Sequence, residues 1–481
     1  MDRGFGCRVP VKKLTTYSAL PAEDGRSYQS VRVRPISRAK RFELGRHLRQ
    51  KVSRRSLGAW QPADNRSDPI ALIQRLHVGR EASLIPIRVA RMVASPYGFL
   101  RGAAVVMAQD VASLPATGIT PVICGDAHLG NFGFYASPER VLVLDLNDFD
   151  EAHPGPWEWD LRRLVTSIYV AGRQNGTPDS QCDEAVMSCV AAYRQSVRLL
   201  ANQPLLSRSF QRMDVDLLHS TVAGKPLRAT IARAARLART RTSDRALPRF
   251  TTQRSGHRRI VDKPPLITRV PRDTYQRIAA AIDDYLTTLA PHWRHVVGGY
   301  TLVDIAHKVV GVSSVGLRNY VALLEGSTPE DIIFLQLKEA QRSVVARYVH
   351  GDIPRHAHQG QRVVEYQQAL QTVSDPLLGW TKIESRPYYV RQFRDMKGAI
   401  PFDTLQPGAL TDYARILGHL LAKGHARTSG ASMIAGYVGS SRRLDDAMCR
   451  FGRAYADQNE ADHQALVRAV ARGKLPAARV R

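Results

Sequence analysis

The chain has few cysteines, and their spacing excludes two common kinds of structural site. Five cysteines occur among its 481 residues. The odd number argues against a complete disulfide framework, and no CxxC pair or Cys/His cluster has the spacing of zinc ligands. We therefore expect reduced thiols in the protein core and no structural zinc. The cysteines are Cys7, Cys124, Cys182, Cys189 and Cys449.

The sequence also lacks a long apolar run. No segment reaches the ~18 consecutive apolar residues of a membrane-spanning helix. The opening stretch MDRGFGCRVPVKK has no apolar core of the kind found in signal peptides. Hydrophobic residues nevertheless make up 44% of the chain, which is enough to bury a large core. These features predict a soluble, cytoplasmic protein with no membrane partner.

Acidic residues are in short supply relative to basic ones. There are 43 Asp and Glu against 69 Lys and Arg, which gives a formal net charge of +26. Basic residues crowd the first 55 positions and the stretch 225–263. Such clusters neutralise phosphates, so an acidic partner, a phosphorylated substrate or a nucleic acid is one interpretation. Because no RNA-recognition, zinc-finger or basic-zipper motif accompanies the charge, we favour solvated helix faces instead.

Helical and strand patterns are mixed along the chain, which predicts an α+β fold. RVLVLDLNDFD, DIIFLQLKEA and PYYVRQFRDMKG are typical of strands, whereas WEWDLRRLVTSIYVAG and GALTDYARILGHLLAKGHAR have helical apolar stripes. We divide the chain into a basic, weakly structured N-terminal arm (1–60), the first part of a catalytic lobe (61–200), a helical basic insertion (201–290), a small lobe of mixed strands with one helix (291–400) and C-terminal helices that complete the catalytic lobe (401–481).

The stretch VICGDAHLGNFG, followed by DFDEA, concentrates polar residues between two short apolar runs. Gly, Asp and Asn are common in simple turns, but phosphoryl transfer requires the same residue types. It uses an acid that orients the acceptor hydroxyl and oxygen ligands for Mg²⁺. In the protein-kinase pattern the acid and the first ligand are an Asp and an Asn with four residues between them, and an Asp after the next strand is the second ligand. The residues with this spacing are Asp126 as the base, Asn131 and Asp148 as metal ligands, Asp150 as an auxiliary ligand and His128 as a catalytic or loop-bracing residue.

A nucleotide-covering element is predicted downstream of this loop. The turn GVSSVG lies between two strand patterns, and Lys338 ends the strand pattern that follows. Glu365, on the next predicted helix, is the expected partner of Lys338, which would contact the α and β phosphates of ATP. The turn contributes Gly311, Ser313, Ser314 and Gly316 as its phosphate-contacting residues.

The order of these elements predicts a protein-kinase-like, two-lobe fold that is circularly permuted and carries extra helices. The catalytic loop comes first and the nucleotide-covering lobe afterwards, an arrangement that is tolerable when chain ends lie at the surface. Kinases have a helix immediately before their catalytic loop. In this chain either Leu410–His425 or Phe99–Leu114 is expected to occupy that place. Asp160 is expected to brace the loop from a helix.

The motif GDxHxxN with an acidic turn downstream resembles aminoglycoside and choline kinases, in which His occupies the place of His128. This chain differs in carrying Cys124 where those families have His. Residues 40–465 further resemble the bacterial family of domain of unknown function 2252. The chain differs from the family at one position, because Ala431 stands where we expect the family to carry an acidic residue. The motifs that carry this resemblance are SPYGFLRGAA, CGDAHLGNFG, LNDFDEAHPGPWEWDLRRL, KVVGVSSVG, FLQLKEA, RQFRDMKG and YADQNEADH.

Three other functions compete with an ATP- and Mg²⁺-dependent phosphotransferase that acts on a hydroxyl group. A metallophosphoesterase would also use Asp and His loops, but it requires an upstream DxH and a downstream GNH cluster, and the sequence has neither. A catalytically inactive nucleotide-binding or scaffold protein is the stronger alternative, because Ser313 stands where a glycine is expected. Nucleic-acid binding through the basic segments is the third. The sequence does not identify the acceptor or the oligomeric state.

Overall fold

The computed structural model describes residues 36–478, apart from 244, 246–249, 255, 256, 329, 351–355, 394 and 429. The basic segment 1–35 therefore lies outside the described residues. The remainder combines a helical region with one large antiparallel sheet, so the predicted α+β class is confirmed. No helix in the described ranges combines the length and apolar character that crossing a membrane requires.

The described helices fall into an N-terminal group, a central group and a C-terminal group. They are α1 (Arg38–Lys51), α2 (Pro69–Arg75), α3 (Ile85–Val93), α4 (Pro96–Gly102), α5 (Ala104–Ala112), α6 (Trp157–Gln174), α7 (Asp179–Asn202), α8 (Leu205–Ser209), α9 (Val215–Thr221), α10 (Lys225–Arg239), α11 (Arg272–Thr288), α12 (Pro291–Val297), α13 (Ala346–His350), α14 (Gln359–Leu370), α15 (Pro407–Thr428), α16 (Ala431–Val438) and α17 (Arg443–Ala471).

The strands form three small pairs and one six-stranded antiparallel sheet. The large sheet has the order β11-β12-β10-β9-β8-β7, and α14 connects its strands β10 and β11. The small pairs are β1 with β4, β2 with β3, and β5 with β6. The strands are β1 (Val122–Ile123), β2 (Phe132–Ala136), β3 (Leu142–Leu146), β4 (His153–Pro154), β5 (Thr251–Arg254), β6 (His257–Ile260), β7 (Ile267–Arg269), β8 (Thr301–Lys308), β9 (Asn319–Glu325), β10 (Ile332–Glu339), β11 (Gly379–Ile383) and β12 (Arg386–Gln392).

The two largest apolar cores among the described residues lie in the helical region and against the six-stranded sheet. The larger one collects side chains of α6, α7, α15 and the β2–β3 hairpin. The smaller one lies between α11 and the six-stranded sheet. Helix α6 is buried on every side, as expected of a helix in the centre of a large protein. Its polar side chains therefore require partners, because an unpaired buried polar group is costly.

Several predicted elements are confirmed, and others differ for identifiable reasons. The helices predicted around Leu161, Val363 and Leu417 are present as α6, α14 and α15. Residues 38–51, expected to be weakly structured, form α1, which lies against α16; the backbone of Met433 is close to Gly45. The insertion 201–290 is not wholly helical, because β7 pairs with β8 and extends the large sheet.

The predicted helix Phe99–Leu114 is interrupted. Ala103 adopts φ −116° and ψ 35°, which separates α4 from α5. Helix α15, by contrast, is continuous through the predicted range Leu410–His425. Its last turn lies beside β1, where the Thr428 hydroxyl accepts a hydrogen bond from the Val122 N–H at 3.1 Å. Of the two candidate helices, α15 is the one whose end meets the entry to the predicted catalytic loop.

The contact between α7 and α15 generates a stability prediction. A Cβ added at Gly418 of α15 would lie 2.0 Å from the carbonyl oxygen of Cys189 on α7. Gly418→Ala should therefore force the two helices apart and lower the free energy of unfolding by about 1–3 kcal/mol. Gly408→Ala, in the first turn of the same helix with nothing within 4 Å, is the matched control and should be neutral or slightly stabilising, because alanine favours the helix over glycine. Chemical denaturation measures both, and equal stabilities would contradict this packing.

Candidate active site

Asp160 of α6 fixes the backbone where the predicted catalytic loop begins. Its two carboxylate oxygens accept the N–H groups of Cys124 and Gly125 at 2.6 and 2.8 Å. His425 of α15 lies 3.2 Å from the same carboxylate. Gly125 has φ +77°, and a Cβ there would lie 2.2 Å from the Glu151 carbonyl oxygen, so glycine is required. The bracing role expected of Asp160 is confirmed.

Asp126, the predicted base, is held by an arginine of the same central helix. The Nε and terminal nitrogen of Arg163 lie 2.9 and 2.8 Å from Asp126 Oδ1. The carboxylate is only 14% exposed. Burial raises the pKa of Asp126 to about 6, although the charge of Arg163 opposes this effect. This pKa is close to neutral pH, which suits a carboxylate that acts as a base.

His128 braces the loop through its ring. Its Nδ1 accepts the N–H of Gly130 at 3.1 Å and lies 3.3 Å from the hydroxyl of Tyr97. Nε2 is 3.8 Å from Asp126 Oδ2. Burial keeps the pKa of His128 well below its ordinary value, so the ring is neutral at neutral pH. Of the two roles predicted for His128, these contacts correspond to loop bracing.

Asn131 ties the catalytic loop to the acidic turn. Its side-chain nitrogen donates to the carbonyl oxygens of Asp126 and Asp148 at 3.1 and 3.0 Å. Its side-chain oxygen accepts the Asp148 N–H at 2.6 Å. An amide oxygen has two lone pairs, so one remains for a further ligand. Asn131 thus fixes the distance between the two segments that carry the predicted acids.

Lys338, at the end of β10, reaches the acidic turn across the cleft. Its Nζ lies 2.8 Å from Asp150 Oδ2 and 3.6 Å from Asp148 Oδ1. Burial lowers the pKa of the ammonium group, but the two carboxylates more than compensate and raise it above its ordinary value. Asp150 also accepts the hydroxyl of Tyr389 at 2.7 Å. The predicted lysine and the predicted acids therefore lie together, although 188 residues separate Lys338 from Asp150.

Glu365 is not brought to Lys338. Its carboxylate lies 2.9 Å from Nε2 of His356 and accepts the side-chain amide of Gln361 at 2.8 Å. The residue of α14 that contacts the acidic turn is Arg362, which donates to the carbonyl oxygens of Asp150 and Ala152 at 2.7 and 2.6 Å. The expected Lys338–Glu365 pair is thus replaced by pairs between Lys338 and the acidic turn itself.

The glycine turn between β8 and β9 lies over the acids. Gly311 and Gly316 have φ +65° and +88°, in the left-handed region that favours glycine. Ser313 and Ser314 line an open cleft together with the acidic residues. The other lining residues are Arg80, Asp126, Asn131, Asp148, Asp150, Glu151, Leu317, Glu339 and Gln341.

Glu151, Arg163, Glu339 and Arg80 are site residues that the sequence analysis missed. Glu151 is part of the DFDEA cluster, and Arg163 follows Asp160 by three residues, which places both on one helix face. Those two had local signals that could have been used. Glu339 directly follows Lys338, so it too had a local signal, whereas Arg80 had none, because its neighbours in the cleft come from distant parts of the chain.

The carboxylates of the cleft do not form a ready-made metal cage. No group of three or more His, Cys, Asp or Glu side chains within the described ranges has metal-binding geometry. One oxygen is nevertheless available, because the buried Oδ1 of Asp148 has no hydrogen-bond partner there. Mg²⁺ is usually bound by one or two carboxylates and completed by phosphates and water. The donor set therefore suits a cation that arrives with a phosphorylated ligand.

Comparison with known proteins gives one match. A family model described as "Uncharacterized protein conserved in bacteria (DUF2252)" matches residues 80–469. This range includes the catalytic loop, the acidic turn, the glycine turn and Lys338. No curated protein and no solved structure matches the chain.

Glu151 generates a prediction about pH and stability. Burial raises its pKa from 4.5 to about 7, although the Val344 N–H, which its carboxylate accepts at 2.6 Å, opposes the shift. The stability contributed by this proton is complete below pH 4.5 and is lost as the pH rises through 7. Glu151→Gln keeps an acceptor for Val344 but avoids that loss. Its melting temperature should exceed that of the wild type at pH 8, and the advantage should shrink toward pH 5.

The exposed Glu184 of α7 provides a matched control. Glu184→Gln should follow the wild-type melting temperature across the same pH range in thermal denaturation. Parallel curves for the wild type and Glu151→Gln would contradict a raised pKa at Glu151.

Proposed function

We propose that this chain, which belongs to the bacterial family DUF2252, is a kinase-like phosphotransferase that moves a phosphoryl group from ATP to a hydroxyl acceptor with Mg²⁺. The observation that carries the proposal is the contact of Lys338 with Asp148 and Asp150. It joins a sheet strand to an acidic turn beneath a glycine turn, in a cleft that also contains the buried carboxylate Asp126.

The order of elements around the cleft supports a kinase-like fold with permuted connections. Strand β8, the glycine turn, strand β9, the lysine strand β10, helix α14 and the strands β11 and β12 follow one another as expected of a nucleotide-covering lobe. Helix α15 comes later in the chain, yet its final turn lies beside β1, 306 positions upstream. A permuted connection accounts for this proximity.

The charge of the cleft supports a cation-dependent reaction. Five carboxylates line it, those of Asp126, Asp148, Asp150, Glu151 and Glu339. Lys338 and Arg163 compensate part of this negative charge. Bound Mg²⁺ would supply further positive charge, which would neutralise the phosphates and the charge that develops during transfer. Asp148 would hold it through Oδ1, which accepts no hydrogen bond, and Asn131 through the remaining lone pair of its amide oxygen.

In the proposed mechanism each residue has a role that its contacts suit. Asp126, oriented by Arg163, accepts the proton of the acceptor hydroxyl at its free Oδ2. Lys338 turns from the acidic turn to the α and β phosphates, which replace the carboxylates as its anionic partners. The turn that contains Ser313 and Ser314 covers the phosphates and excludes water. Positioning and charge neutralisation then supply most of the acceleration.

An inactive nucleotide-binding protein is the second candidate, and one observation favours it. The amide of Asn131 is engaged on both sides by the backbone of the two loops, and Lys338 is paired with Asp150 rather than free. Such a protein would be stabilised by ATP and Mg²⁺ without producing ADP. Measurement of ADP formation alongside melting temperature separates the two candidates.

The first prediction concerns Asp148. ATP and Mg²⁺ together should raise the wild-type melting temperature, because a ligand of the folded state stabilises it. Asp148→Asn should lose that increase and reduce ADP formation by at least about a hundredfold. Its melting temperature without nucleotide should stay near normal, because the side chain is 46% exposed and Asp150, at 2.8 Å, remains as the close partner of Lys338. Asp64→Asn, at an exposed position outside the cleft, is the control and should behave as the wild type.

A wild-type melting temperature that ATP and Mg²⁺ leave unchanged would contradict the proposed function. Full activity in Asp148→Asn would contradict the metal role of Asp148 in particular.

The second prediction concerns the pH dependence of turnover. Asp126 must be ionised to accept a proton, and burial raises its pKa to about 6. The rate of ADP formation at low ATP concentration should therefore rise through pH 6 and reach a plateau above it. Asp126→Asn should abolish this dependence together with most of the rate. A profile that is flat from pH 5 to 8 in the wild type would exclude Asp126 as the base.

A further inference from the structure

Arg80 brings a guanidinium group into the cleft from the N-terminal part of the chain. It lies between α2 and α3, far in sequence from the glycine turn that it contacts. Its Nε donates to the Leu76 carbonyl oxygen at 2.7 Å, and one terminal nitrogen donates to the Val315 carbonyl oxygen at 2.6 Å. A guanidinium group carries five N–H donors. The other terminal nitrogen makes no hydrogen bond among the described residues, so its two donors are available to a ligand.

Arg80 is also the one cationic residue that lines the cleft within the described part of the chain. Burial lowers its pKa to about 10, while the carboxylates of Glu151, Glu339 and Asp150 oppose this effect. The side chain therefore remains charged at neutral pH. Lys338, the other cation of the site, is buried behind the cleft surface and is already engaged by Asp150.

The segment that carries Arg80 fixes the glycine turn at both ends. The N–H of Glu81 donates to the Gly316 carbonyl oxygen at 2.8 Å, and Arg91 donates to the Gly311 carbonyl oxygen. A Cβ at Gly316 would lie 3.1 Å from Cβ of Arg80, so the two backbones approach closely. The turn is thus anchored to the N-terminal helices, and its position defines where Arg80 stands over the acids.

We infer that Arg80 contacts the terminal phosphate of a bound nucleoside triphosphate and selects triphosphate over diphosphate. The inference rests on the proposed function. Arg80 lines the cleft that contains Asp126, the proposed base, whereas Lys338 is buried, is engaged by Asp150 and is proposed to meet the α and β phosphates. Charge spreads over the transferred phosphoryl group during transfer, and a guanidinium group held in place stabilises it.

The test compares ATP with ADP in three variants of the full chain. Arg80→Ala and Arg80→Gln remove the cation, and the glutamine variant keeps a donor for the Val315 carbonyl. Arg91→Ala is the matched control, because Arg91 anchors the other end of the same turn but does not line the cleft. Affinities for ATP with Mg²⁺ and for ADP with Mg²⁺ are obtained from the shift in melting temperature at increasing nucleotide concentration.

Both Arg80 variants should bind ATP about ten- to a hundredfold more weakly than the wild type while ADP affinity changes little. Arg91→Ala should change both affinities by the same factor. The inference is overturned if the Arg80 variants lose ATP and ADP affinity in equal proportion, or lose neither, because Arg80 would then only anchor the turn. If Arg80→Ala does not fold, Arg80→Gln gives the same comparison. A wild type that binds neither nucleotide would overturn the proposed function itself, which distinguishes the two failures.

Discussion

The site depends on one buried ionic contact, that of Lys338 with Asp150 and Asp148. An ammonium group that is almost completely buried is stable only beside opposite charge, and removing one partner of such a pair typically costs about 3–5 kcal/mol. Here the partners come from different parts of the fold, the end of the internal sheet strand β10 and a turn that follows β3. Tyr389 of β12 and Arg362 of α14 add hydrogen bonds to the same turn. The sheet, its helix and the acidic turn are therefore fixed relative to one another.

A second constraint links the catalytic loop to the central helix. Asp160 accepts two loop N–H groups, and Arg163, one turn along α6, holds Asp126. The side chains of Asp160 and Arg163 are both buried, and a buried charged group is costly without a partner. The loop N–H groups are the partners of Asp160, and Asp126 is the partner of Arg163. His425 joins α15 to the same carboxylate. The loop is thus positioned by two helices that are far apart in sequence, and the site is built before any ligand binds.

Local sequence patterns predicted the parts of the site that are close in sequence. Asp126, Asn131 and Asp148 lie within 23 residues, and the short β2–β3 hairpin between them returns the chain to the same place. The strand, turn and lysine order also predicted a cover over this loop. The pairing of Lys338 with Glu365 was not recovered, because it depends on the rotation of α14 about its axis. That rotation directs Arg362 to the acidic turn and leaves Glu365 to His356.

Contacts between distant segments account for what the sequence did not reveal. Arg80 has no distinctive neighbours in sequence, and its place in the cleft follows from packing against the glycine turn 235 positions later. The kink at Ala103 and the addition of β7 to the large sheet are likewise tertiary effects. Helical periodicity indicates which face of a helix is buried, but it does not specify which distant residue that face meets.

The contrast between the charge of the whole chain and that of the cleft follows from the same arrangement. With a net charge of +26, the protein attracts anions over distances set by ionic strength. At the cleft, five carboxylates line the surface beside the Arg80 guanidinium group, and Lys338 and Arg163 lie behind them as partners of Asp150 and Asp126. The acids at the surface can hold a divalent cation, while the surrounding positive charge attracts the phosphates that accompany it. The long-range field and the local acids together thus favour a cation-bound polyphosphate over a bare anion.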